Sequence, residues 1–326
     1  MSTIRAAYAT AINAQDPLSG LAVGALEEPA QPADNWVRVD VRASALNHHD
    51  LWSLRGVGLA ETQLPMILGC DAAGVAPDGT EVIVHAVVGD PSGGDETLDP
   101  KRSLLSEVYP GTLADTVWVP ARNLMAKPES MSFIEAACLP TAWLTAYKML
   151  VHKGRLRSGN AVLVQGAGGG VATAAIVLAQ ALGAHVYATS RSGVKRRQVA
   201  ALGATALEPG ARLPERVDIV IETVGTPTIE HSLKSTAPGG RIVVCGSTGG
   251  HLAQIDLRRV FFLQLELLGA TMGTREELAE VAALMADRGI KPVIDSVYPF
   301  DQAAAAFARL ASGDAFGKIV LTHATS

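Results

Sequence analysis

The sequence predicts an α/β protein in which a β-rich first third precedes a doubly wound parallel sheet. Two patterns lead to this prediction. Before about residue 130, short runs of alternating apolar and polar residues are separated by Gly and Pro. After it, continuous apolar runs alternate with helical segments that end at Gly, which is typical of βαβ units and therefore of parallel strands.

The first third contains three predicted strands and one long loop. Residues 36–43 (WVRVDVRA) alternate Val with charged residues, which indicates a half-buried strand. Residues 81–88 form a second strand after a Pro-Asp-Gly turn, and residues 116–119 a shorter third. The segment 89–112 is polar and rich in Gly, Pro and Ser, so it is predicted to be a long loop, of the kind that is usually functional or mobile.

The remaining two thirds alternate between helix and strand. Residues 133–150 have a helical composition that Pro140 must break or kink. The predicted strands that follow are 161–165, 186–189, 218–224, 241–245, 265–270 and 317–322, and the predicted helices are 171–182, 193–202 and 276–288. The first of these strands, AVLVQ, is apolar throughout, as expected for a strand that is buried on both faces.

Composition limits the possible functions. The chain has 326 residues, which suggests about two domains, and 48% hydrophobic and 18% charged residues, an ordinary globular balance. A net charge of -5 without a basic tract argues against a nucleic-acid partner. No apolar run reaches a membrane span, and no secretory segment is recognisable at the start. The cysteines Cys70, Cys138 and Cys245 form no CxxC pair, which argues against a disulfide framework. We therefore expect a cytoplasmic protein.

The strongest motif is a glycine-rich turn between the first parallel strand and its helix. It consists of Gly166, Ala167, Gly168, Gly169, Gly170, Val171 and Ala172. Such a turn lets the backbone approach a pyrophosphate, and the following helix offers free N–H groups and a positive dipole end. The turn therefore predicts a dinucleotide site. The alternative is a tight turn without a ligand.

The end of the second parallel strand indicates which dinucleotide is bound. NAD-binding enzymes place Asp or Glu there to hold the ribose hydroxyls. This chain has no carboxylate between Val186 and Arg197, and it offers Ser190, Arg191 and Lys195 to a 2′-phosphate. These residues predict NADPH as the cofactor. The alternative is a solvated basic start of a helix.

These motifs, with others in the same order, resemble the medium-chain dehydrogenase/reductase superfamily, and most of all its zinc-independent quinone oxidoreductase-like branch. The matching segments are 45–50 (ALNHHD), 68–74 (LGCDAAG), 110–114 (PGTLA), 119–120 (VP), 135–137 (EAA), 144–147 (LTAY), 166–172, 222–225 (ETVG), 238–241 (PGGR) and 316–320 (FGKIV). The resemblance implies a GroES-like catalytic domain at 1–124, a Rossmann NADP-binding domain at 125–295 and a return to the catalytic domain at 296–326. It also implies a homodimer, for which the long apolar stretch 261–272 is the candidate edge.

The metal ligands of the zinc-containing relatives are altered. Asn47 stands where those relatives have Cys, Cys70 stands in place of His, and the third ligand falls near Ala142. Catalytic zinc needs three protein ligands, so no metal site is predicted. A rearranged site of His49, Cys70 and Asp71 is the alternative.

Without zinc, the resemblance implies hydride transfer from NADPH to a quinone or an α,β-unsaturated carbonyl. Asn47 is the candidate group that hydrogen-bonds a developing oxyanion, and His49 is the candidate proton donor. Trp52 is expected in the substrate pocket, and Val224, Gly246 and Lys318 are expected to contact the cofactor. The alternatives are core positions for His49 and Trp52, and an exposed strand position for Lys318.

Two other functions remain open. One is an alcohol or aldehyde dehydrogenase of the same superfamily. The other is a dinucleotide-binding protein with little turnover, because a fold does not fix a function. A small-molecule substrate is the expected partner of a reductase and of an alcohol or aldehyde dehydrogenase alike.

Overall fold

The computed structural model describes residues 2–324. The chain forms two compact units, unit 1 from Met1–Thr141 and Thr274–Ser326, and unit 2 from Ala142–Gly273. The sequence predicts domain boundaries after residues 124 and 295. In the structure, the chain passes from unit 1 to unit 2 after Thr141 and returns to unit 1 after Gly273. No helix in residues 2–324 is both long enough and apolar enough to cross a membrane.

The secondary-structure elements alternate as follows. The strands are β1 Thr3–Ala9, β2 Leu21–Glu27, β3 Trp36–Ala45, β4 Met66–Ile67, β5 Asp71–Val75, β6 Glu81–Val84, β7 Val87–Val88, β8 Ser103–Leu104, β9 Thr116–Pro120, β10 Leu124–Ala126, β11 Ala161–Val164, β12 His185–Thr189, β13 Thr205–Leu207, β14 Val217–Glu222, β15 Thr236–Val244, β16 Glu266–Gly269, β17 Ile294–Pro299 and β18 Lys318–Thr322. The α-helices are α1 His48–Leu54, α2 Phe133–Ala136, α3 Leu144–Tyr147, α4 Gly170–Ala181, α5 Gly193–Ala201, α6 Ile229–Ser235, α7 Leu257–Phe262, α8 Arg275–Arg288 and α9 Ala303–Ala311.

Unit 1 is the β-rich unit, and its main sheet has the order β10-β6-β5-β3-β18-β17, with β9 also paired to β3. Strands β1, β2 and β4 form a second sheet. The C-terminal strand β18 runs antiparallel to β3, with Val320 opposite Ala45. This pairing fixes the side chains at the start of β18 next to the residues that follow β3. An apolar core that includes Leu54, Leu68, Leu113, Phe300 and Phe307 packs against these strands.

Unit 2 is a doubly wound parallel sheet with the order β13-β12-β11-β14-β15-β16. All four residues of β11 are buried, because helices cover both faces of a parallel sheet. The strand order reverses at β11, which has β12 on one side and β14 on the other. In open α/β sheets, ligands bind outside the carboxyl ends of the strands at such a reversal. The fold class that the sequence predicted, a GroES-like β-rich domain with a Rossmann sheet, is confirmed.

Several elements differ from the sequence-based prediction. The predicted helix at 133–150 is interrupted after Ala136, and the chain around Pro140 continues as a π-helical turn at Leu139–Trp143. The predicted strand at 81–88 is split into β6 and β7, and the predicted loop at 89–112 contains β8. The elements not predicted from the sequence are β1, β2, β4, β5, β10, β13, β17, α1, α6, α7 and α9. These elements are defined by long-range pairing and packing rather than by a strong local pattern.

Candidate functional site

The glycine-rich turn of unit 2 has the shape that the motif predicts. Gly166 and Gly168 have positive φ angles of 72° and 137°, a region that side chains with a Cβ rarely adopt. A Cβ on Gly166 would overlap Val224, and a Cβ on Gly168 would lie 2.8 Å from Cδ of Lys195. Gly169 is different, because a Cβ placed there would meet no atom within 4 Å. The fold itself therefore requires the first two glycines, while the third keeps space open at the start of α4.

A buried hydrogen-bond network holds this turn against the neighbouring strand. Thr189, the last residue of β12, accepts a hydrogen bond from the backbone N–H of Gly166 (3.2 Å) and donates to Oε1 of Gln165 (2.7 Å). Its carbonyl oxygen accepts from the N–H of Ala167 (2.7 Å). Gln165 also contacts Nδ1 of His231 (2.9 Å). The sequence does not mark these supporting residues, because a polar residue at a strand end carries no distinctive local pattern.

The loop after β14, which carries Val224, is fixed by a buried carboxylate. Glu222 accepts hydrogen bonds from the N–H groups of Val224 (2.9 Å) and Gly225 (3.1 Å). It also accepts from the hydroxyls of Thr228 (2.8 Å) and Ser232 (2.6 Å). Four donors satisfy this charge, so Glu222 has a structural role. Val224 follows β14 and Gly246 follows β15, and both therefore lie at the carboxyl edge of the sheet with the glycine-rich turn.

The residues predicted to bind a 2′-phosphate lie between β12 and α5. Ser190 is buried, and its hydroxyl accepts from the N–H of Ser192 (3.3 Å). Arg191 is exposed, and within residues 2–324 its guanidinium forms no hydrogen bond or ion pair. Lys195 packs against Gly168, as the space around that glycine shows. The side chain of Arg196, which was not among the predicted phosphate-binding residues, donates to the carbonyl oxygens of Ser190 (2.8 Å) and Arg191 (3.1 Å) and so fixes the loop.

These features fit a bound dinucleotide. The first N–H groups of a helix have no partners within the helix, and at α4 the N-cap residue is Gly169, which has no side chain to cap them. The space beyond Gly169 is where a pyrophosphate would receive these N–H groups. The guanidinium of Arg191 provides a planar donor for a further phosphate.

A second cluster of polar side chains lies in unit 1, where β18 meets the end of β3. The Asn47 side chain donates from Nδ2 to Oδ2 of Asp71 (2.9 Å) and to the carbonyl oxygen of Ala45 (3.4 Å). The ammonium of Lys318 donates to Oδ1 of Asn47 (2.7 Å), Oδ2 of Asp71 (2.8 Å) and the carbonyl oxygen of Leu46 (2.8 Å). The side chains of Lys318 and Asp71 are 2% and 0% exposed. This is a buried ion pair with an amide between its members.

The geometry changes the interpretation of two predicted site residues. The exposed position considered for Lys318 is wrong, because the ammonium is buried and all three of its hydrogens are directed at oxygens of unit 1. A contact with the cofactor would require Lys318 to give up one of these bonds, so this assignment has no support in the structure. Both amide hydrogens of Asn47 already have acceptors, of which Ala45 at 3.4 Å is the weaker. The assignment of Asn47 to an oxyanion therefore stays a prediction.

His49 lies on α1 and bridges two other side chains. Its Nδ1 is 3.5 Å from Sγ of Cys70, and its Nε2 is 3.2 Å from Oε1 of Glu107. The Cys70 thiol donates to the carbonyl oxygen of Leu105 (3.3 Å). Glu107 belongs to the segment 89–112, which the sequence predicts only as a long loop. The hydrogen-bond partners of His49 are thus the side chains of Cys70 and Glu107 rather than backbone atoms, and its role as a proton donor stays a prediction.

The charges in this cluster follow from its burial and its pairing. Burial raises the pKa of the Cys70 thiol, so at neutral pH the sulfur keeps its proton. Burial lowers the pKa of His49, but the interactions with Cys70 and Glu107 and the charge of Asp50 outweigh it and raise the pKa above its ordinary value. Because Cys70 is neutral near pH 7, the Glu107 carboxylate is the anionic partner of His49 there. Burial opposes ionisation of Glu107, but the hydrogen bonds from His49 and Leu104 lower the pKa of this carboxyl.

The residues present do not fit a catalytic zinc ion. Among residues 2–324, no three His, Cys, Asp or Glu side chains are arranged to hold a metal. Asn47 and Asp71 already bind the ammonium of Lys318. Cys70 and Glu107 lie at opposite nitrogens of the His49 ring, so these three side chains cannot all bind the same metal ion.

Trp52 also lies on α1. It is half-buried, and the guanidinium of Arg55 stacks 5.1 Å from the centre of its ring. A role in a substrate pocket stays a prediction.

Comparison with known proteins assigns the chain to a family. Residues 33–129 match the alcohol dehydrogenase GroES-like domain, and residues 196–321 match the zinc-binding dehydrogenase domain. An acryloyl-coenzyme A reductase of Sulfurisphaera tokodaii is 28% identical over 95% of this chain and 99% of its own length. Human quinone oxidoreductase is 28% identical over 89% of this chain and 90% of its own length. A zinc-type alcohol dehydrogenase-like protein of Schizosaccharomyces pombe is 30% identical over 90% of this chain and 93% of its own length.

Solved structures agree with this assignment. A crystal structure of an NAD-dependent alcohol dehydrogenase has a TM-score of 0.88 and 34% identity, and covers 98% of this chain and 99% of that one. The 2-octenoyl-CoA carboxylase reductase CinF, in complex with NADP and 2-octenoyl-CoA, has a TM-score of 0.91 and 25% identity, and covers 99% and 88%. The fold, the glycine-rich turn and these relatives define an oxidoreductase with a dinucleotide-binding domain. The chain belongs to the medium-chain dehydrogenase/reductase superfamily.

Proposed function

We propose that this protein is an NADPH-dependent reductase of a quinone or an α,β-unsaturated carbonyl, and that it works without zinc. The observation that carries the proposal is the Asn47–Asp71–Lys318 cluster. At the position of the first zinc ligand of the family stands an amide that binds a buried ammonium instead of a metal. A carbonyl that is conjugated, or part of a quinone, accepts hydride without a strong Lewis acid.

The relatives support this substrate class. Among them are an acryloyl-coenzyme A reductase, a quinone oxidoreductase and a crotonyl-CoA carboxylase/reductase of Cereibacter sphaeroides. The 2-octenoyl-CoA carboxylase reductase was solved with NADP, which supports the same cofactor here.

One observation favours a second candidate function, an alcohol or aldehyde dehydrogenase. The NAD-dependent alcohol dehydrogenase is 34% identical to this chain, more than the acryloyl-coenzyme A reductase or quinone oxidoreductase. That protein is NAD-dependent, whereas β12 of this chain is followed by Ser190 and Arg191 rather than by a carboxylate. The acceptor and the cofactor therefore have to be tested together.

Each unit has its own role in the proposed reaction. Bound NADPH supplies the hydride. The N-terminus of α4, beyond Gly169, holds the pyrophosphate, and Ser190, Arg191 and Lys195 receive the 2′-phosphate. In unit 1, His49 is held in its protonated form and donates a proton to the enolate or hydroquinone anion that forms. Asn47 can serve an oxyanion only by releasing its weak bond to Ala45.

The deciding experiment measures metal content and acceptor range on one preparation of the purified protein. We expect less than stoichiometric zinc, and oxidation of NADPH by an enone, an enoyl thioester or a quinone that a chelator leaves unchanged. One zinc per chain, with activity lost on chelation and an alcohol as the best substrate, would support the second candidate. Binding of NADPH without oxidation by any acceptor would indicate a binding protein with little turnover.

A variant tests the proton donor. His49→Ala should lower kcat for an enone by about 10²-fold, the usual contribution of general acid catalysis. The NADPH affinity should not change, because the phosphate-binding residues belong to unit 2. The effect should shrink with a quinone, whose hydroquinone anion can take its proton from water. His251→Ala, at an exposed histidine of unit 2, is the control. Full activity of His49→Ala on the enone would assign the proton to solvent.

A further inference from the structure

Glu107 is the one acidic side chain hydrogen-bonded to His49 within residues 2–324. Its two carboxylate oxygens have different partners. Oε1 faces Nε2 of His49 at 3.2 Å, and Oε2 accepts from the backbone N–H of Leu104 at 2.9 Å. The backbone carbonyl of Glu107 accepts from Nε2 of Gln63. Hydrogen bonds therefore hold both carboxylate oxygens and the backbone carbonyl of Glu107 in place.

The other side of the imidazole is fixed as well. The Cys70 sulfur lies 3.5 Å from Nδ1 of His49, 3.3 Å from the carbonyl oxygen of Leu105 and 3.9 Å from the hydroxyl of Ser106. When the thiol donates its one proton to Leu105, whose carbonyl oxygen can only accept, the sulfur is left as an acceptor for His49. Glu107, as a carboxylate, can also only accept. An imidazole with an acceptor at each nitrogen makes two hydrogen bonds only when both nitrogens carry a proton. With the thiol donating to Leu105, the hydrogen-bond pattern therefore favours the doubly protonated form of His49.

The two acceptors differ in their access to solvent. Cys70 is 0% exposed, whereas the side chains of His49 and Glu107 are 18% and 25% exposed. The proton on Nδ1 is thus enclosed, and the proton on Nε2 lies at the accessible edge of the cluster.

We propose that Glu107 is a positioning residue for His49, which keeps the imidazole doubly protonated and holds its transferable proton on Nε2. The proposal rests on the proposed function, in which His49 donates a proton. In that step the hydrogen bond from Nε2 to Glu107 is released, the Nε2–H bond breaks and a C–H or O–H bond forms on the anionic product. His49 then remains neutral with its proton on Nδ1 towards Cys70, Glu107 stays a carboxylate throughout, and water returns the proton to Nε2.

The other charged groups around this pair are few. Asp50, on the same helix as His49, adds a charge interaction that favours the protonated imidazole. Arg102, from the segment that carries Glu107, helps to keep that carboxyl ionised. Cys70 is neutral near pH 7 because burial raises its pKa. While Cys70 is a neutral thiol, Glu107 is the anion in hydrogen-bond contact with His49, so its removal should lower the pKa of His49.

The test replaces Glu107 by Gln and follows His49 directly. A Gln side chain has one acceptor oxygen for the two donors, His49 and Leu104, and carries no charge. Glu107→Asp keeps the charge on a shorter side chain. Glu61→Gln, at an exposed position of the same unit, removes one negative charge away from the cluster and serves as the matched control. Thermal unfolding of each variant confirms that it is folded.

The first readout is an NMR titration of the His49 imidazole in the protein without substrate, assigned by comparison with His49→Gln. We expect the pKa of His49 to be above its ordinary range of about 6.5 in the unaltered protein and in Glu61→Gln. It should fall by one unit or more in Glu107→Gln and recover in part in Glu107→Asp. An unchanged pKa in Glu107→Gln would overturn the proposal, whatever the activity.

The second readout is the pH profile of kcat with the enone acceptor. In Glu107→Gln, the loss of activity at high pH should begin at least one unit lower, with about a tenfold loss on that limb and an unchanged KM for NADPH. A shifted pKa with an unchanged profile would overturn the positioning role. Failure of the proposed function itself is seen separately, as the absence of NADPH oxidation by the unaltered protein with every acceptor.

Discussion

Removal of the Lys318 ammonium provides the sharpest test of the buried cluster in unit 1. Lys318→Met keeps the length and the apolar stem of the side chain but removes the charge. The carboxylate of Asp71 then remains in a fully buried position with the Asn47 amide as its hydrogen-bond donor at Oδ2, while Oδ1 has no hydrogen-bond partner within residues 2–324. A charge that loses its partner in such a place is strongly destabilising.

The expected loss of unfolding free energy follows from the burial of both members of the Lys318–Asp71 ion pair. Lys318 and Asp71 are 2% and 0% exposed and their charged atoms are 2.8 Å apart, so solvent does not screen the pair. Removal of one member of such a pair typically costs about 3–5 kcal/mol. For a unit of this size, that corresponds to a fall in Tm on the order of 10 °C. The double variant Lys318→Met/Asp71→Asn removes both charges and should cost clearly less than the sum of the single variants, because no unpaired charge is left.

The assay is chemical denaturation followed by tryptophan fluorescence. Trp36, Trp52 and Trp118 lie in unit 1 and Trp143 lies in unit 2, so the signal reports mainly on unit 1. If Lys318→Met loses less than about 1 kcal/mol of unfolding free energy, or if the effects of the two substitutions simply add in the double variant, Lys318 and Asp71 do not form a buried ion pair.

Three further predictions concern the cofactor, the assembly and the pH dependence of stability. NADPH should bind at least tenfold more tightly than NADH, a difference of about 1.4 kcal/mol, and Arg191→Ala should reduce that preference. Equal affinities of the unaltered protein for the two cofactors in a fluorescence titration would contradict the predicted preference. Phe261 and Phe262 are 63% and 79% exposed just before β16, the last strand of its sheet, so we propose that this edge pairs with a second copy. Light scattering should show a dimer, and Phe261→Lys/Phe262→Lys should give a monomer; a monomer in the unaltered protein at micromolar concentration would refute the pairing. The Arg309 guanidinium lowers the pKa of Asp295 to about 2, so this ion pair stabilises the fold above about pH 4 and the contribution is lost as the pH falls towards 2. Asp295→Asn should therefore cost about 1–2 kcal/mol at pH 7 but little near pH 2, and a cost that is the same at both values would refute the assignment.

The local patterns in the sequence were sufficient for the parallel sheet and for its ligand-binding edge. A strand that is apolar throughout, a glycine-rich turn and a helix that ends at Gly depend on interactions between near neighbours in the chain. Gly166 and Gly168 illustrate this, because their positive φ angles follow from the turn itself. The presence of Arg191 rather than a carboxylate after β12 can likewise be recognised from one short segment of the sequence.

The partners of the polar side chains were decided by the tertiary structure. The sequence predicted a cofactor contact for Lys318, with an exposed strand position as the alternative. The pairing of β18 with β3 instead brings its ammonium to Asn47 and Asp71, which lie more than 240 residues earlier. Glu107 gave no signal, because it stands in a polar loop and meets His49 only after that loop folds back onto α1. Local patterns report the environment of the backbone, whereas the pairing of charges depends on which distant segments pack together. The sequence by itself thus determined the class of fold and the dinucleotide-binding turn, and only the tertiary structure determined which groups could bind a metal, hold a proton or neutralise a buried charge.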